Sequence, residues 1–484
     1  MSSNQQLKAG IEATQPFIRW TVLSLTTLSS FMVAVDSTIV IIGLPVIGKD
    51  LHSGVSLLGW IITAYLLTTA ASLLQFGKIG DKFGKKKVYL VGFAVFGASS
   101  ALCGFSPGIY ELIAFRLIQG IGAAMLSATS YPLIFASFPQ SERGTAMGVN
   151  AIAWAVGAVT GPVLGGFLVA IDWRLVFFIN VPVALLAVLI GIKKMPKYLD
   201  VGSTEAKRIN LASSAILALT VAMTLLWLTL FEPMFALAGL VGLSLLVVSE
   251  KKSKDPLIER GLTSKGFWFS SISLAITNLG VLGIPFVLTF YYQIVKGASP
   301  IATGIFIVPL SIALAISNPL SGRLFDRVKV SGVLGLIGAI LNGGATLALS
   351  ADVIAKANSF YLDIPLVIIG VGGGLVWTPL LGSALKFSKP ELRGVANGTC
   401  FTLINLGFAA SIAILIAVSA TFLPQSIVSR IYLGNLAGLT NSETILFNHG
   451  MAESLFILAL VDFVATLPII FVISQQRKAK VSET

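Results

Sequence analysis

Long runs of apolar residues, separated by short polar segments, recur fourteen times along the chain. The first spans residues 19–47 and the last 451–473. Most are as long as the roughly 20 residues with which an α-helix crosses a bilayer core of about 30 Å. Six runs precede residue 194, two lie at 210–230 and 233–249, and six follow residue 266. The pattern predicts an all-α polytopic membrane protein with fourteen transmembrane spans.

A few polar residues interrupt these runs, and they carry the information. Asp36 lies deep in the first run, within Val33-Ala-Val-Asp36-Ser37-Thr38. An acid at mid-span costs roughly 2.5 kcal/mol or more and is retained where it faces a cavity or a partner. Arg116 is the one basic residue inside a run. Arg116 lies about 9 Å below the outer end of span 4, and Asp36 about 16 Å below that of span 1, at 1.5 Å rise per residue. A long Arg side chain bridges such a difference. Whether the two form a working pair, a static salt bridge or two separately solvated groups stays open at this stage. Asp462, in the last run, is a second mid-span acid, with either a transport role or a local polar partner.

Composition agrees with the pattern. Of 484 residues, 55% are hydrophobic and 11% charged, and mean hydropathy is +0.91. Soluble domains carry about 25% charged residues. The net charge of +12 would suit a nucleic-acid partner if it were clustered on one domain. Instead, with an even number of spans and a cytoplasmic N-terminus, all but six of the 33 Lys and Arg fall on the cytoplasmic side. The exceptions are Lys49, Arg174, Lys296, Lys356 and Arg430 outside, and Arg116 within a span. That asymmetry orients the chain, with both termini in the cytoplasm, and no nucleic-acid partner is expected. Cys103 and Cys400 both fall inside spans, no His/Cys/carboxylate group has metal-site spacing, and no phosphate-binding Gly-x-x-x-x-Gly-Lys-Ser/Thr loop exists. Neither a cofactor nor an enzymatic activity is expected.

The chain repeats itself. Arg143-Gly-Thr-Ala146-Met-Gly148 recurs as Arg393-Gly-Val-Ala396-Asn-Gly398, and each Arg is followed fourteen residues later by a glycine, Gly157 or Gly407. The reading is a six-span half at 1–194, a linker with two extra spans at 195–265, and a second six-span half at 266–484. Two such halves with a site between them near the midplane suit alternating access. Glu232 is the only acid near the membrane in the inserted pair, which reads as a lipid-facing spacer. The outer segment 421–450 either covers an outer vestibule or lies on the membrane surface.

Four motifs stand in order. Gly77-Lys-Ile-Gly-Asp81-Lys82-Phe-Gly84-Lys85-Lys86-Lys87 follows the second span, with glycines suited to a tight turn and charges suited to helix ends. Arg116-Leu-Ile-Gln119-Gly120-Ile-Gly122 lies in span 4. Gly157-Ala-Val-Thr-Gly161-Pro162-Val-Leu-Gly165-Gly166 lies in span 5, its glycines spaced by four so that a neighbouring helix can approach closely. Asp172-Trp173-Arg174 and Phe178-Ile-Asn180-Val-Pro182 follow. With the Asp36 segment, these motifs resemble the major facilitator superfamily, and more narrowly its fourteen-span drug:proton antiporters. The chain departs from that pattern at Ile41 and Gly43, where Asn and Ala are common.

The resemblance implies proton coupling at Asp36 and Arg116. It implies a cytoplasmic gate at Gly77, Asp81, Lys82, Gly84 and Lys85, and an antiporter seam at Gly157, Gly161, Pro162, Gly165 and Gly166. The second half lacks both ionisable groups, since Leu366 stands where Arg116 does in the first. The residues expected at a cavity for apolar or aromatic solutes are Trp60, Tyr65, Gln119, Asn278, Phe286, Phe290, Gln293, Trp377 and Asn405. The expected protein is a monomeric, proton-coupled exporter of lipophilic compounds in the cell membrane. Its partners are the bilayer, protons and a small lipophilic substrate. A transporter of one metabolite, or a non-transporting sensor, are the rival readings.

Overall fold

The computed structural model describes residues 16–139, 142–200, 211–230, 232–253, 256, 262, 264–328, 330–355, 359–388, 393–421 and 440–481. These residues are almost wholly helical. In chain order they form α1 (Pro16–Asp50), α2 (Val55–Phe83), α3 (Lys85–Gly104), α4 (Ile109–Ser137), α5 (Arg143–Ile171) and α6 (Leu175–Lys194). Then come α7 (Leu211–Leu230), α8 (Pro233–Lys252), α9 (Lys265–Phe290), α10 (Pro300–Arg327), α11 (Gly332–Ile354), α12 (Ser359–Lys386), α13 (Arg393–Thr421) and α14 (Asn441–Val481). The fourteen helices match the fourteen apolar runs.

Helix ends follow local chemistry. Pro233 and Pro300 open α8 and α10, where a missing N–H costs nothing; the Ser299 hydroxyl also accepts a bond from Ala302 N at 3.2 Å. Gly84 separates α2 from α3 at φ 102°, and Gly297 follows a π turn at Tyr291–Val295 with φ 65°. Prolines lie inside α1, α4, α5, α9, α10, α12 and α14 without ending them. Neighbouring helices can re-satisfy the freed carbonyls in such bundles.

Packing repeats in register. In the first six helices, α1 packs on α5, α2 and α3 pack on α4, and α6 packs on α3. In the last six, α9 packs on α13, α10 and α11 pack on α12, and α14 packs on α11. The contacts between the two sets are also paired: α5 meets α10, and α13 meets α2. The inserted α7 and α8 pack on each other, and α7 leans on α2 and α13. Almost none of α8 is buried, with Met234, Leu237, Leu240, Leu243 and Leu245 on its surface, as for a helix solvated by lipid.

Two expectations change here. Gly77 and Gly80 lie inside α2 rather than in a turn, and Gly84 alone makes the turn. The last helix begins at Asn441, so part of the expected outer segment is helix; Asn448 Nδ2 donates to Val353 O at 2.8 Å and holds it to α11. Residues 422–439 of that segment lie outside the described residues, as do 201–210 of the linker.

Candidate functional site

Asp36 is fully buried on α1, and every group that reaches it donates. Arg116 Nη1 of α4 donates to Oδ2 at 2.6 Å; Gln119 Nε2 of α4 and Asn180 Nδ2 of α6 each donate to Oδ1 at 3.0 Å. Arg116 Nε donates to Ile61 O of α2 at 3.0 Å, and Nη1 also reaches Gln119 Oε1 at 2.8 Å. Ser100 of α3 accepts from both amides, at 3.1 Å from Gln119 and 3.2 Å from Asn180. The Tyr65 ring lies 4.2 Å from Arg116 Cζ, a cation–π contact. Five helices thus converge on one charge pair. Arg116 and Gln119 are three residues apart on one helix face, which is why both reach the same carboxylate.

Beside this cluster a mostly apolar cavity of about 1640 Å³ separates the first and last six helices. Its lining begins at Gly77, Asp81, Lys85, Gly148 and Gly398, at the end of the bundle that bears the basic turns, and reaches Ile42, Pro162 and Ile307. The cavity opens at that basic end. Asp36 does not line it, although its neighbours Ala34, Ser37 and Thr38 do, and Tyr65 stands between the ion pair and the open space.

Of the residues expected at a cavity, Tyr65, Trp377 and Asn405 line this space, and Asn278 lines a small pocket beside it. Trp60, Gln119, Phe286, Phe290 and Gln293 do not. Gln119 is spent on the charge cluster. Phe286 and Phe290 pack on each other, centroids 5.0 Å apart, inside the protein core. Trp60 packs at the edge of the same core. Gln293 Nε2 donates to Ile42 O at 2.9 Å and so joins α1 to the π turn after α9. Trp154 of α5, absent from the expected set, stacks on Trp377 of α12 with centroids 5.6 Å and planes 24° apart.

The glycines of α5 lie against α1. A Cβ at Gly157 would lie 2.6 Å from Phe31 O, one at Gly165 2.7 Å from Ile39 O, and one at Gly161 would collide with the Thr38 hydroxyl. Gly166 faces α10 instead, 2.7 Å from Pro300 O by the same measure, and a Cβ at Gly304 of α10 would lie 2.5 Å from Pro162 O. The stripe therefore serves two neighbours, α1 and α10. The repeat holds here too: a Cβ at Gly407 of α13 would collide with Ala275 O of α9. Near the same end, Trp173 Nε1 and Arg174 Nη1 donate to Asp50 Oδ2 at 2.9 and 3.1 Å, fixing the α5–α6 turn to the end of α1.

At the basic end, Asp81 bonds Lys85 at 3.0 Å, and its side chain is 58% exposed. Among the described residues it bonds no helix end of the other set. Lys82 sits over the Phe83 ring, 5.4 Å from its centroid. Other basic residues of the motif hold the middle of the chain: Lys86 Nζ donates to Met195 O at 2.9 Å, and Lys78 Nζ to Pro256 O at 2.8 Å. Gly84 needs to be glycine twice over, for its positive φ and because a Cβ would collide with Asp200 O.

Asn180 and Ser100 are the cluster members left unassigned in the sequence. Asn180 carried the same signal as Asp36, a polar side chain in an apolar run, and stands in a quoted motif. Ser100 gave none, since a mid-span Ser usually bonds its own helix. Asp462 of α14 is 2% exposed and lines the cavity; its Oδ1 has no hydrogen-bond partner among the described residues, so the local polar partner considered for it is not found.

The comparisons with known proteins agree with this architecture. The family model for the Major Facilitator Superfamily matches residues 26–412. The riboflavin transporter RibZ of Clostridioides difficile is 28% identical over 95% of this chain and 99% of its own. The multidrug transporter protein MdtP of Bacillus subtilis is 31% identical over 77% of this chain and 70% of its own. In fold, a bacterial homolog of the human lysosomal transporter Spinster, solved inward-facing and unoccupied, superposes with TM-score 0.71 at 15% identity over 96% of this chain and 99% of that one. With twelve of its fourteen helices paired in a repeated pattern about a central cavity, and with that family model matched over most of its length, the chain belongs to the Major Facilitator Superfamily of membrane transporters.

Proposed function

We propose that this transporter exports lipophilic, multidrug-type compounds across the cell membrane in exchange for protons, by alternating access. The observation that carries the reading is the donor shell of Asp36. Arg116, Gln119 and Asn180 all aim N–H groups at its two oxygens. A protonated carboxyl would bring its own O–H into a ring of donors. Proton uptake therefore obliges a neighbour to withdraw, and the neighbours belong to α4 and α6. Protonation and helix position become one variable, which is what coupling requires.

In this reading residues 1–194 and 266–484 rock against each other, with 195–265 as linker. The basic end faces the cytoplasm by the positive-inside rule, so the cavity is caught open inward. Asp81 and Lys85 at the mouth gate it, and the α5 glycines seal the far end. The lining is apolar and aromatic, and MdtP, a multidrug transporter, is similar; both favour lipophilic substrates. The likeness to RibZ favours a second reading, a carrier for one metabolite. Uptake into proteoliposomes under an imposed pH gradient decides between them. Accumulation of several unrelated lipophilic compounds, each driven by the gradient, is the expected outcome. Transport of a single solute class supports the second reading, and indifference to the gradient removes proton coupling.

A further inference from the structure

Asp462 is a buried carboxylate outside the charge cluster. It sits near the middle of α14, about 30 Å from either end at 1.5 Å per residue. It is 2% exposed, and Oδ1 has no partner among the described residues. No Lys, Arg or His forms an ion pair with it there. What lies in front of it is Gly280 of α9: a Cβ placed there would be 3.6 Å from Oδ2, and both residues line the cavity. The glycine keeps the approach to the carboxylate clear.

The same wall carries a second observation. Asn278 of α9, Asn318 of α10 and Asn342 of α11 meet beside the Trp154–Trp377 stack. The Oδ1 atom of each is buried without a hydrogen-bond partner. With Asp462 Oδ1, four unpaired oxygens occur among the described residues of the last six helices that line the cavity or the small pocket beside it. A native interior leaves few such atoms unpaired. Unpaired acceptors beside two indole faces call for a donor that carries positive charge: the carboxylate supplies the counter-charge, the amide oxygens take N–H groups, and the indoles add cation–π attraction. The other charged groups on the lining, Lys78, Asp81 and Lys85, lie at the mouth, and Asp81 and Lys85 neutralise each other there.

We infer that Asp462 is a substrate-binding residue, the counter-charge for an organic cation held in the cavity, with Asn278, Asn318 and Asn342 as accessory acceptors. This rests on the proposed export of lipophilic compounds and names the class within it: amphipathic monocations. It gives the protein two buried mid-span carboxylates with separate duties. Asp36 is sealed behind Tyr65 and engaged by three donors, whereas Asp462 lines the cavity with its Oδ1 unpaired among the described residues.

The test compares two probes of nearly equal shape, tetraphenylphosphonium and neutral tetraphenylsilane, binding to the purified full-length protein. Wild type is expected to bind the cation at least tenfold more tightly than the neutral probe. Asp462→Asn should abolish that preference while leaving the neutral affinity within twofold. Asp462→Glu, which restores the charge, should recover most of it. The inference is overturned if Asp462→Asn keeps the preference, or if it weakens both probes equally, since a steric or folding defect does that. If wild type binds the neutral probe but not the cation, the inference falls and lipophilic export stands. If it binds neither, both fall.

Discussion

The ring of Tyr65 lies over the guanidinium of Arg116, 4.2 Å from ring centroid to Cζ, and separates the buried ion pair from the cavity. The Tyr65 hydroxyl lies beside Ser37 and bonds neither Asp36 nor Arg116, so the ring and not the hydroxyl provides the contact. Tyr65→Phe should therefore transport at close to the wild-type rate. Tyr65→Ala should open Asp36 to the cavity and uncouple the cycle. The readout is dissipation of a pH gradient in proteoliposomes without substrate, faster by tenfold or more in Tyr65→Ala and unchanged in Tyr65→Phe. A tight Tyr65→Ala protein would show that some other side chain closes the path.

Asp36→Asn fixes the residue in a neutral form. It should abolish transport driven by a pH gradient while substrate binding and downhill exchange persist. Arg116→Gln leaves the carboxylate buried without its counter-charge, a change worth roughly 3–5 kcal/mol in buried pairs. Thermal unfolding in detergent should show a clear loss of stability for Arg116→Gln, and a smaller loss when Asp36→Asn is added to it. Proton release on substrate addition that survives Asp36→Asn would move the proton site elsewhere.

Asp81 is exposed and bonded only to Lys85 in the open form, so little of the present structure depends on it. Its work belongs to the form in which the mouth closes. Asp81→Asn is expected to slow transport at least tenfold with substrate affinity and melting temperature within error of wild type. Equal losses of binding and transport would mark a folding defect.

Gly157, Gly161 and Gly165 of α5 tolerate no side chain without displacement of α1. Gly161→Leu should lose coupled export while the protein still reaches the membrane, and Gly157→Leu should do the same. Gly344→Leu on α11 is the control: nothing lies within 4 Å of a Cβ there, and the fold should absorb it. Wild-type export by Gly161→Leu would show that the stripe is only tolerated.

Orientation is checked by single cysteines at exposed positions in a protein without Cys103 and Cys400. Lys82→Cys and Lys87→Cys should react with an impermeant reagent only from the cytoplasmic side, and Glu111→Cys only from outside. The reverse pattern would overturn the orientation and with it the inward-open reading.

The charge pair was legible because an ionised side chain in an apolar run has few reasons to be there, and helical rise put Asp36 and Arg116 within reach. The α5 stripe was legible because a spacing of four fixes a face whatever the neighbour. The cavity lining was half legible, for a physical reason. A helix apolar on all sides gives no periodicity from which to read its inward direction, so Phe286 and Phe290 could not be told from Trp377. Asn180 was missed for a different reason: an amide has no obligatory partner, and nothing in its span announced the carboxylate it would meet on α1.

The contact of α5 with α10 closes the cavity at the end away from the basic turns, and main-chain atoms form it: Pro300 O against Gly166, Pro162 O against Gly304. A joint of this kind has no side chain to delete. An alanine scan, which removes atoms, would pass over it and find nothing, because every informative change there adds atoms. The joint is also indifferent to pH and salt, and it parts without breaking an ion pair. Its geometry comes from residues that contribute only backbone, so sequence drift there is bounded by volume alone.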